Sequence, residues 1–294
     1  MADENKIISE SELILNKDGS IYHLKLKPEH ISNDIFLVGD PDRVKLISSF
    51  FSKIEVLIQN REFITCTGFY NGKRITVIST GIGTDNIDIV MNELDALVNI
   101  DLKLRKNKDK KTSLNIIRLG TSGSLQPDIP IDSMVVSEYA IGLDGLLNFY
   151  KHNNSDFDEK MTDAFIEHTQ WNMNHAKPYA VKASNKLYKM LDTISFKEIT
   201  ATASGFYGPQ GRLLRIEPAD LLLNEKLSTF EYNGKRIANF EMETSAIYGL
   251  GSILGHHTIT VCTIIANRLT KQFSKDYPTA VKKMTEKVLE LVTV

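Results

Sequence analysis

The chain has 294 residues, 42% hydrophobic and 24% charged, which is typical of a soluble globular protein with a sizeable buried core. Its net charge of −2 gives no indication of a nucleic-acid or membrane-surface partner, and no apolar stretch is long enough to cross a bilayer. Residues 1–5 are acidic and predict no signal peptide, while Cys66 and Cys262 lack disulfide or metal spacing, so we expect a reduced, cytoplasmic protein.

Short β-rich runs alternate with helical patterns along the chain. This alternation predicts an α/β fold in which helices cover a mostly parallel or mixed sheet. The last run consists almost entirely of β-branched or apolar residues, as expected of a strand that is buried on both faces. Strands are predicted at residues 35–38, 62–67, 74–79, 114–119, 133–137, 198–203 and 258–265.

Three segments have the apolar spacing of helices. One runs from residue 87 to residue 98, where Thr84 or Asp85 can act as the N-cap. A second is predicted over 242–254, and a third, over 281–291, closes the chain. We find no repeat and no linker, and we therefore predict a single domain over the whole chain, residues 1–294.

Two polar segments are predicted to lie outside the core of this domain. Residues 1–20 form an N-terminal extension, and residues 103–113 form an inserted polar loop. The basic run at 103–111 could be a nucleic-acid patch, but no aromatic residues are interleaved with its lysines, so a solvated loop is the favoured interpretation.

Two predicted strands end in an arginine and a glycine-containing turn. The strand at 114–119 carries Arg118 beside a Gly-Thr-Ser-Gly sequence at 120–123. The strand at 35–38 is followed by Gly-Asp-Pro-Asp-Arg, which ends at Arg43. A guanidinium, hydroxyl groups and unhindered backbone N–H groups at one strand end can bind an oxyanion, and phosphate is the best candidate.

A third turn, Thr-Gly-Ile-Gly-Thr at residues 80–84, follows another strand. It has neither the glycine spacing of a dinucleotide fold nor the Gly-Lys-Ser/Thr ending of a P-loop. Its predicted role is a tight turn that allows a backbone or a ligand to approach closely.

Two further segments can contact an organic substrate. In 206–212, an aromatic ring lies near a Gln and an Arg, a combination that can recognise the imide edge of a base; a surface turn is the alternative. In 240–244, a carboxylate can accept hydrogen bonds from a ribose diol and Met242 can pack beneath the sugar. The alternative there is a helix start with acids favoured by the helix dipole. His256-His257 has no third ligand at metal spacing, so no metal site is predicted.

These segments, in this order, resemble the nucleoside phosphorylases of the uridine phosphorylase type. The family resemblance implies a single α/β domain around a distorted, barrel-like central mixed sheet, flanked by helices, with no metal or organic cofactor needed for the chemistry. It extends over residues 22–268, and the matching pieces are 22–24, 39–43, 61–63, 79–83, 118–121, 206–207 with Gln210 and Arg212, 240–243 and 267–268.

The resemblance also implies roles for individual residues. The phosphate, a co-substrate, is implied to be bound by Gly39, Arg43, Arg118 and Thr121, with Arg61 inserted from the adjacent subunit. The ribose is implied to contact Thr121, Met242 and Glu243, with His23 reaching across the subunit interface towards the 5′-hydroxyl. The base is implied to contact Phe206, Gln210 and Arg212, with Arg268 helping to position Arg212; of all these residues, Arg118, Gln210 and Arg212 are the expected catalytic ones.

The chain departs from the family at three places. Ala266-Asn267 stands where purine-cleaving relatives carry a Ser-Asp pair, and the base loop reads Tyr-Gly-Pro-Gln-Gly-Arg instead of Tyr-Pro-Gly-Gln-Glu-Arg. Residues 84–86 replace a segment whose serine helps bacterial relatives to bind a monovalent cation at the dimer interface. Glu62 and Ile82 are retained, so the resemblance leaves this cation open.

The predicted activity is the reversible phosphorolysis of uridine to uracil and α-ribose 1-phosphate, in pyrimidine nucleoside salvage. A homo-oligomer is expected, with a dimer as the smallest active unit and a hexamer also compatible. The alternatives are a purine nucleoside phosphorylase or nucleoside hydrolase of the same fold, and a nucleoside-binding sensor without turnover. The sequence leaves open the choice among uridine, thymidine and 2′-deoxyuridine.

Overall fold

The computed structural model describes residues 7–152, 155–191 and 193–293. Its helices are α1 (Pro41–Ser48), α2 (Thr84–Asn99), α3 (Glu159–Thr169), α4 (Asn185–Met190), α5 (Leu223–Thr229), α6 (Thr244–Leu254) and α7 (Tyr277–Thr293). Its strands are β1 (Asp34–Val38), β2 (Lys53–Asn60), β3 (Phe63–Tyr70), β4 (Lys73–Ser79), β5 (Ile100–Asp101), β6 (Lys106–Asn107), β7 (Asn115–Ser124), β8 (Met134–Gly142), β9 (Tyr179–Lys182), β10 (Phe196–Thr202), β11 (Glu231–Tyr232), β12 (Lys235–Glu241), β13 (His257–Asn267) and β14 (Gln272–Phe273).

The main sheet closes on itself through five of these strands. They are joined in the order β12, β10, β8, β13, β7, and the ring is completed by antiparallel pairing of β12 with β7. The strands β1, β4, β3 and β2 extend the sheet outward from β7, and β1 is parallel to both of its neighbours. The predicted α/β fold with a mixed, barrel-like sheet is therefore confirmed.

Apolar residues on both sheet faces explain why the barrel is covered by helices. On β7, Ile116 and Ile117 are buried, although successive residues of a strand point to opposite faces. The face of α2 that carries Val90, Met91 and Leu94 is buried as its periodicity predicted, and α2 packs against α6.

The predicted turn at 118–123 is wrong, because β7 continues without interruption through Ser124. Two neighbours extend it: β13 pairs with β7 as far as Ser124, and β12 pairs with it at Gly123 and Ser124. The glycines of this segment therefore lie within a paired strand, so the sequence reveals the residue types but not the backbone.

Several element boundaries also differ from the predictions. Neither Thr84 nor Asp85 caps α2, because Gly83, with φ of +100°, lies at the N-cap position and the helix begins at Thr84. The helix predicted from residue 242 begins at Thr244 instead, after a bend that contains Glu243. The sequence did not predict the strands β2, β5, β6, β9, β11, β12 and β14 or the helices α1 and α3 to α5.

The described part of the N-terminal extension, residues 7–20, packs against the inserted polar segment; residues 1–6 lie outside the described range. Arg105 donates hydrogen bonds to the carbonyl oxygens of Ile8 and Ser9, each at 2.9 Å, and also to that of Leu13. The basic run at 103–111 is not a loop throughout. It contains β6, which pairs with β5, the short strand that directly precedes the run. None of the described helices has the length and apolarity needed to span a membrane.

Candidate active site

The turns after β1 and β4 and the middle of β7 bring two glycine-containing turns and two arginines together. Gly39, directly after β1, lies so close to its neighbours that a Cβ atom there would be 3.4 Å from the Gly81 carbonyl oxygen and 3.5 Å from Arg43 Nη2. Arg43 lies in the first turn of α1, and its Nη1 donates a 3.1 Å hydrogen bond to the carbonyl oxygen of Leu119 on β7. Gly39, Arg43 and β7 are thus in direct contact.

Arg118 is buried and forms an ion pair with two carboxylates. Its Nη2 contacts Glu243 Oε2 and lies 3.4 Å from Glu241 Oε2. Burial alone would lower the pKa of Arg118, but Glu243 and Glu241 outweigh burial and raise it. The guanidinium is therefore held in its charged form.

Glu241 is a residue of this cluster that the sequence analysis missed. Its carboxylate accepts hydrogen bonds from the backbone N–H groups of Glu243 and Thr244, both at 3.0 Å, and from the Thr202 hydroxyl at 2.7 Å. Burial raises its pKa, an effect that Arg118 opposes and Glu243 reinforces. Its position two residues before Glu243, at the end of a strand, was the available signal.

The two arginines of the cluster repel each other. Burial lowers the pKa of Arg43, and the positive charge of Arg118 lowers it further. An oxyanion bound beside both guanidiniums would relieve this repulsion and would receive charge-assisted hydrogen bonds. Arg43 and Arg118 therefore form a suitable site for phosphate.

Glycines let this cluster assemble. Gly81 and Gly83 have φ values of +72° and +100°, and the Gly83 N–H donates a 2.9 Å hydrogen bond to Glu243 Oε1, which confirms the predicted close approach at this turn. Any side chain at Gly120 would overlap the guanidinium of Arg118.

A second group is formed by the loop after β10. The guanidinium of Arg212 stacks 3.7 Å above the Phe206 ring and donates a 2.6 Å hydrogen bond to Gln210 Oε1. Burial, followed by the charge of Arg268, lowers the pKa of Arg212 to about 10. The structure therefore brings together the aromatic ring, the carboxamide and the guanidinium that the sequence predicted.

Arg268 connects this second group to β7. Its backbone N–H donates to the Ser124 carbonyl at 2.9 Å, and its Cδ would be 3.6 Å from a Cβ atom at Gly123. Its Nη1 is buried and has no hydrogen-bond partner in the described part of the chain. The preceding Asn267 donates to the carbonyl oxygens of Gln126 and Ile129 and accepts from two backbone N–H groups, so its amide has a structural role.

A third group contains His23 and Arg61. The guanidinium of Arg61, a turn residue with φ of +54°, lies 5.4 Å from the centre of the Tyr22 ring. Glu93 holds His23 through its Nδ1 at 2.7 Å and through its backbone N–H. Within the described residues, no hydrogen bond or ion pair joins His23 or Arg61 to Arg118.

Two predicted site residues flank the first group without a polar side-chain contact to it. Thr121 lies on β7, where it pairs with Thr263 of β13, and it is partly buried. Met242, between the two glutamates, is also partly buried. Both positions are adjacent in sequence or in the sheet to the residues that form the cluster.

Comparison with known proteins shows that this chain is similar to phosphorylases. Residues 34–293 match the model of the phosphorylase superfamily. The uridine phosphorylase of Thermococcus kodakarensis is 31% identical over 267 residues, which is 88% of this chain and 82% of that protein. A DeoD-type purine nucleoside phosphorylase of Buchnera aphidicola is 28% identical over 273 residues, 92% of this chain and 98% of that protein.

A solved structure of a nucleoside phosphorylase is also similar to this chain. The crystal structure of the Trypanosoma brucei nucleoside phosphorylase, which is described as showing uridine phosphorylase activity, superposes with a TM-score of 0.84. It is 31% identical in sequence, and the match covers 96% of this chain and 100% of that chain.

Proposed function

The chain belongs to the phosphorylase superfamily, and from that premise we propose that it catalyses the reversible phosphorolysis of uridine to uracil and α-ribose 1-phosphate. The observation that carries the proposal is the hydrogen-bonded pair of Gln210 and Arg212, which can bind the imide edge of uracil. Arg268, whose charge adds to burial in lowering the pKa of Arg212, donates a backbone hydrogen bond to Ser124 of β7, the strand that also carries Arg118, and this supports a single site for base and phosphate. The activity of the Trypanosoma brucei relative supports the same reaction.

We propose that Gly39, Arg43, Arg118 and Thr121 bind the phosphate. A guanidinium has five N–H donors, so Arg118 can keep its contact with Glu243 while its other N–H groups bind phosphate. Arg118 would then link the nucleophile directly to the carboxylate that orients the sugar.

Glu243 is the proposed ligand of the ribose diol. One carboxylate oxygen accepts from the Gly83 N–H and the other contacts Arg118, and each oxygen can accept a further hydrogen bond from a hydroxyl group. Thr121 and Met242 complete the proposed ribose site. In this arrangement the sugar cannot rotate, so the phosphate meets the anomeric carbon in line.

The proposed reaction breaks the bond between C1′ and N1 and forms a bond between C1′ and a phosphate oxygen. As the first bond breaks, negative charge develops on uracil and positive charge on the ribosyl ring. Arg212 and Gln210, stacked against Phe206, would stabilise the departing base, while the phosphate dianion would stabilise the ring. The proton of the hydrogen phosphate formally ends on uracil N1, and no covalent intermediate with the protein is needed.

We also propose a homo-oligomer with a dimer as its smallest active unit. Arg61 and His23 contact Tyr22 and Glu93 rather than the anion site of their own chain, which supports a role for both in a neighbouring subunit. A hexamer of three such dimers is compatible with this arrangement. We propose no metal or organic cofactor, leave the interface cation open, and assign the enzyme to pyrimidine nucleoside salvage in the cytoplasm.

Asn267 argues against purine cleavage as the main activity. Its amide hydrogen-bonds to the backbone on both its donor and acceptor sides, and a carboxamide cannot supply a proton to a purine. This residue stands where purine-cleaving relatives carry the acid.

Ultraviolet monitoring of uridine, thymidine, 2′-deoxyuridine and inosine, each with and without phosphate, tests the proposal. We expect cleavage of uridine that depends on phosphate and little cleavage of inosine. Cleavage without phosphate would indicate a hydrolase, and inosine as the better substrate would overturn the assignment of uracil as the base.

A further inference from the structure

A cleft of about 650 Å³ is lined in part by residues of the base loop. Its lining includes Ser204, Gly208 and Pro209 and the segment after α3, which contains Trp171. None of the residues assigned above to phosphate, ribose or base lines this cleft. Its volume is within the range of sites for small organic molecules.

Asp144 gives the cleft a negative charge and forms no ion pair in the described part of the chain, although His175 and Lys226 also line the cleft, beside Asp220. Its carboxylate accepts hydrogen bonds from the Tyr179 hydroxyl at 2.8 Å, the Ser245 hydroxyl at 2.8 Å and the Leu146 N–H at 2.8 Å. Burial, together with the charge of Asp144, raises the pKa of Tyr179 well above its ordinary value, so the phenol remains a neutral donor. In the described ranges, no Lys, Arg or His forms an ion pair with Asp144.

A second carboxylate at the cleft is also without a cationic partner. Glu217 lines the cleft and is exposed, and it makes no ion pair within the described residues. The third acid, Asp220, is neutralised by Lys226 at 2.8 Å. The cleft therefore has an excess of negative charge, unlike the anion site, where two guanidiniums converge.

Trp171 supplies an aromatic surface to the same cleft. Its indole N–H already donates a 3.0 Å hydrogen bond to the Ala176 carbonyl, so its remaining contribution to a ligand is its ring. Leu143, Leu223 and Pro218 add apolar surface around it. Indole is the aromatic side chain that attracts cations most strongly.

We propose that this cleft is a second binding site, and that it takes a planar organic cation such as an amidinium, a guanidinium or a protonated aromatic amine. The ring of the ligand packs against Trp171 and the apolar residues, and its charge faces Asp144 and Glu217. Anionic ligands are excluded by the same carboxylates. The site is independent of the proposed reaction.

The chain contains a single tryptophan, so its fluorescence reports on this cleft without a label. We would titrate the purified full-length protein with benzamidine, and with benzamide as the neutral ligand of the same shape, in the absence of nucleoside and phosphate. Benzamidine is expected to change the Trp171 emission with saturation, and to bind about tenfold more tightly than benzamide because of its charge. No saturable change, or equal binding of the two ligands, would overturn the proposal.

Glu217→Gln provides the site-specific control, because Glu217 is exposed and its replacement does not disturb packing. This variant is expected to weaken benzamidine binding by roughly threefold to fivefold. Glu225→Gln removes an exposed acid of α5 that does not line the cleft, and it is expected to leave binding unchanged. Equal affinities of these two variants would show that benzamidine binds elsewhere. Because the assay contains no substrate, its result does not depend on whether uridine is cleaved.

Discussion

The proposed site has two regions that are built in different ways. One is the phosphate end, which contains Arg43, Arg118 and Glu243, and the other is the base loop at 206–212. Arg118 and Glu243 are both 4% exposed and contact each other; Arg118 lies in a paired strand, and the Gly83 N–H also holds Glu243. Phe206, in contrast, is 50% exposed and lies in a loop with a short 3-10 turn. A change in the first region should therefore alter folding and chemistry together. A change in the second should alter recognition of the base while the fold remains intact.

The largest expected effect is that of Arg118→Ala. It removes a charge-assisted contact to phosphate and should lower kcat/KM for uridine by about 10³-fold. It also leaves Glu241 and Glu243 buried without their cation, at a cost of about 3–5 kcal/mol in the free energy of unfolding. Steady-state kinetics and chemical denaturation measure the two effects.

Arg118→Lys separates chemistry from folding. It retains the positive charge, so it should be more stable than the alanine variant, but it cannot bind phosphate with two parallel N–H groups. We expect its KM for phosphate to rise. An unchanged KM for phosphate in the lysine variant, or a near-normal kcat/KM for uridine in the alanine variant, would contradict the assignment of Arg118 to phosphate.

Arg212→Ala is the corresponding change in the base loop. It should lower kcat/KM for uridine by about 10²-fold, because a preorganised donor to the departing base is lost. Arg212 is only partly buried and contacts its own loop, so the unfolding midpoint should change little. A folded variant with full activity on uridine would refute the role of Arg212.

Alanine substitutions at Gly120 and at Gly208 allow a direct comparison of the two regions. A Cβ atom at Gly120 would overlap Arg118 and lie 2.8 Å from Cys262 Sγ, whereas one at Gly208 would have no neighbour within 4 Å. Gly120→Ala should therefore raise the KM for phosphate about tenfold and destabilise the fold by about 1–3 kcal/mol. Gly208→Ala serves as the matched control and should leave both quantities almost unchanged; equal effects of the two would remove the distinction between the regions.

The smallest expected effect is on thiol reactivity. Burial raises the pKa of Cys262 to about 12, so at pH 8 its thiolate, the reactive form, is scarcely populated. Alkylation of the native protein should leave Cys262 unmodified, whereas unfolding in denaturant should expose it. Peptide mass spectrometry measures this, and rapid native labelling of Cys262 would show that the phosphate end is less rigid than its contacts indicate.

The sequence predicted which residue types form the site better than it predicted the secondary structure in which those residues lie. Arg118 and the Gly39 turn are recognisable because an arginine beside glycines after an apolar run has a local signature, even though Arg118 lies inside β7 and not at its end. The continuation of β7 through Ser124 depends on pairing with β12 and β13, and no local pattern encodes that pairing. For the same reason, Gly83 rather than Thr84 precedes α2: the turn has to bring its N–H to Glu243, which is distant in sequence.

Glu241 shows a different limit. Glu241 is the last residue of an apolar strand and stands just before a helix, where the helix dipole also favours an acid. Only the folded chain brings its Oε2 to 3.4 Å from Arg118 Nη2. The cleft at Trp171 was also unpredictable, because its lining residues come from several segments between residues 143 and 226. Features assembled from distant segments require the tertiary structure.

The most direct test of the central claim is to incubate the purified protein with uridine and inorganic phosphate, following the phosphate by phosphorus NMR and the uridine and uracil by ultraviolet absorbance. If the two regions act as one site, a sugar phosphate resonance must appear in equal amount to the uracil formed, as the phosphate resonance declines. Uracil released without any new phosphorus resonance, or no uracil at all, would contradict the account.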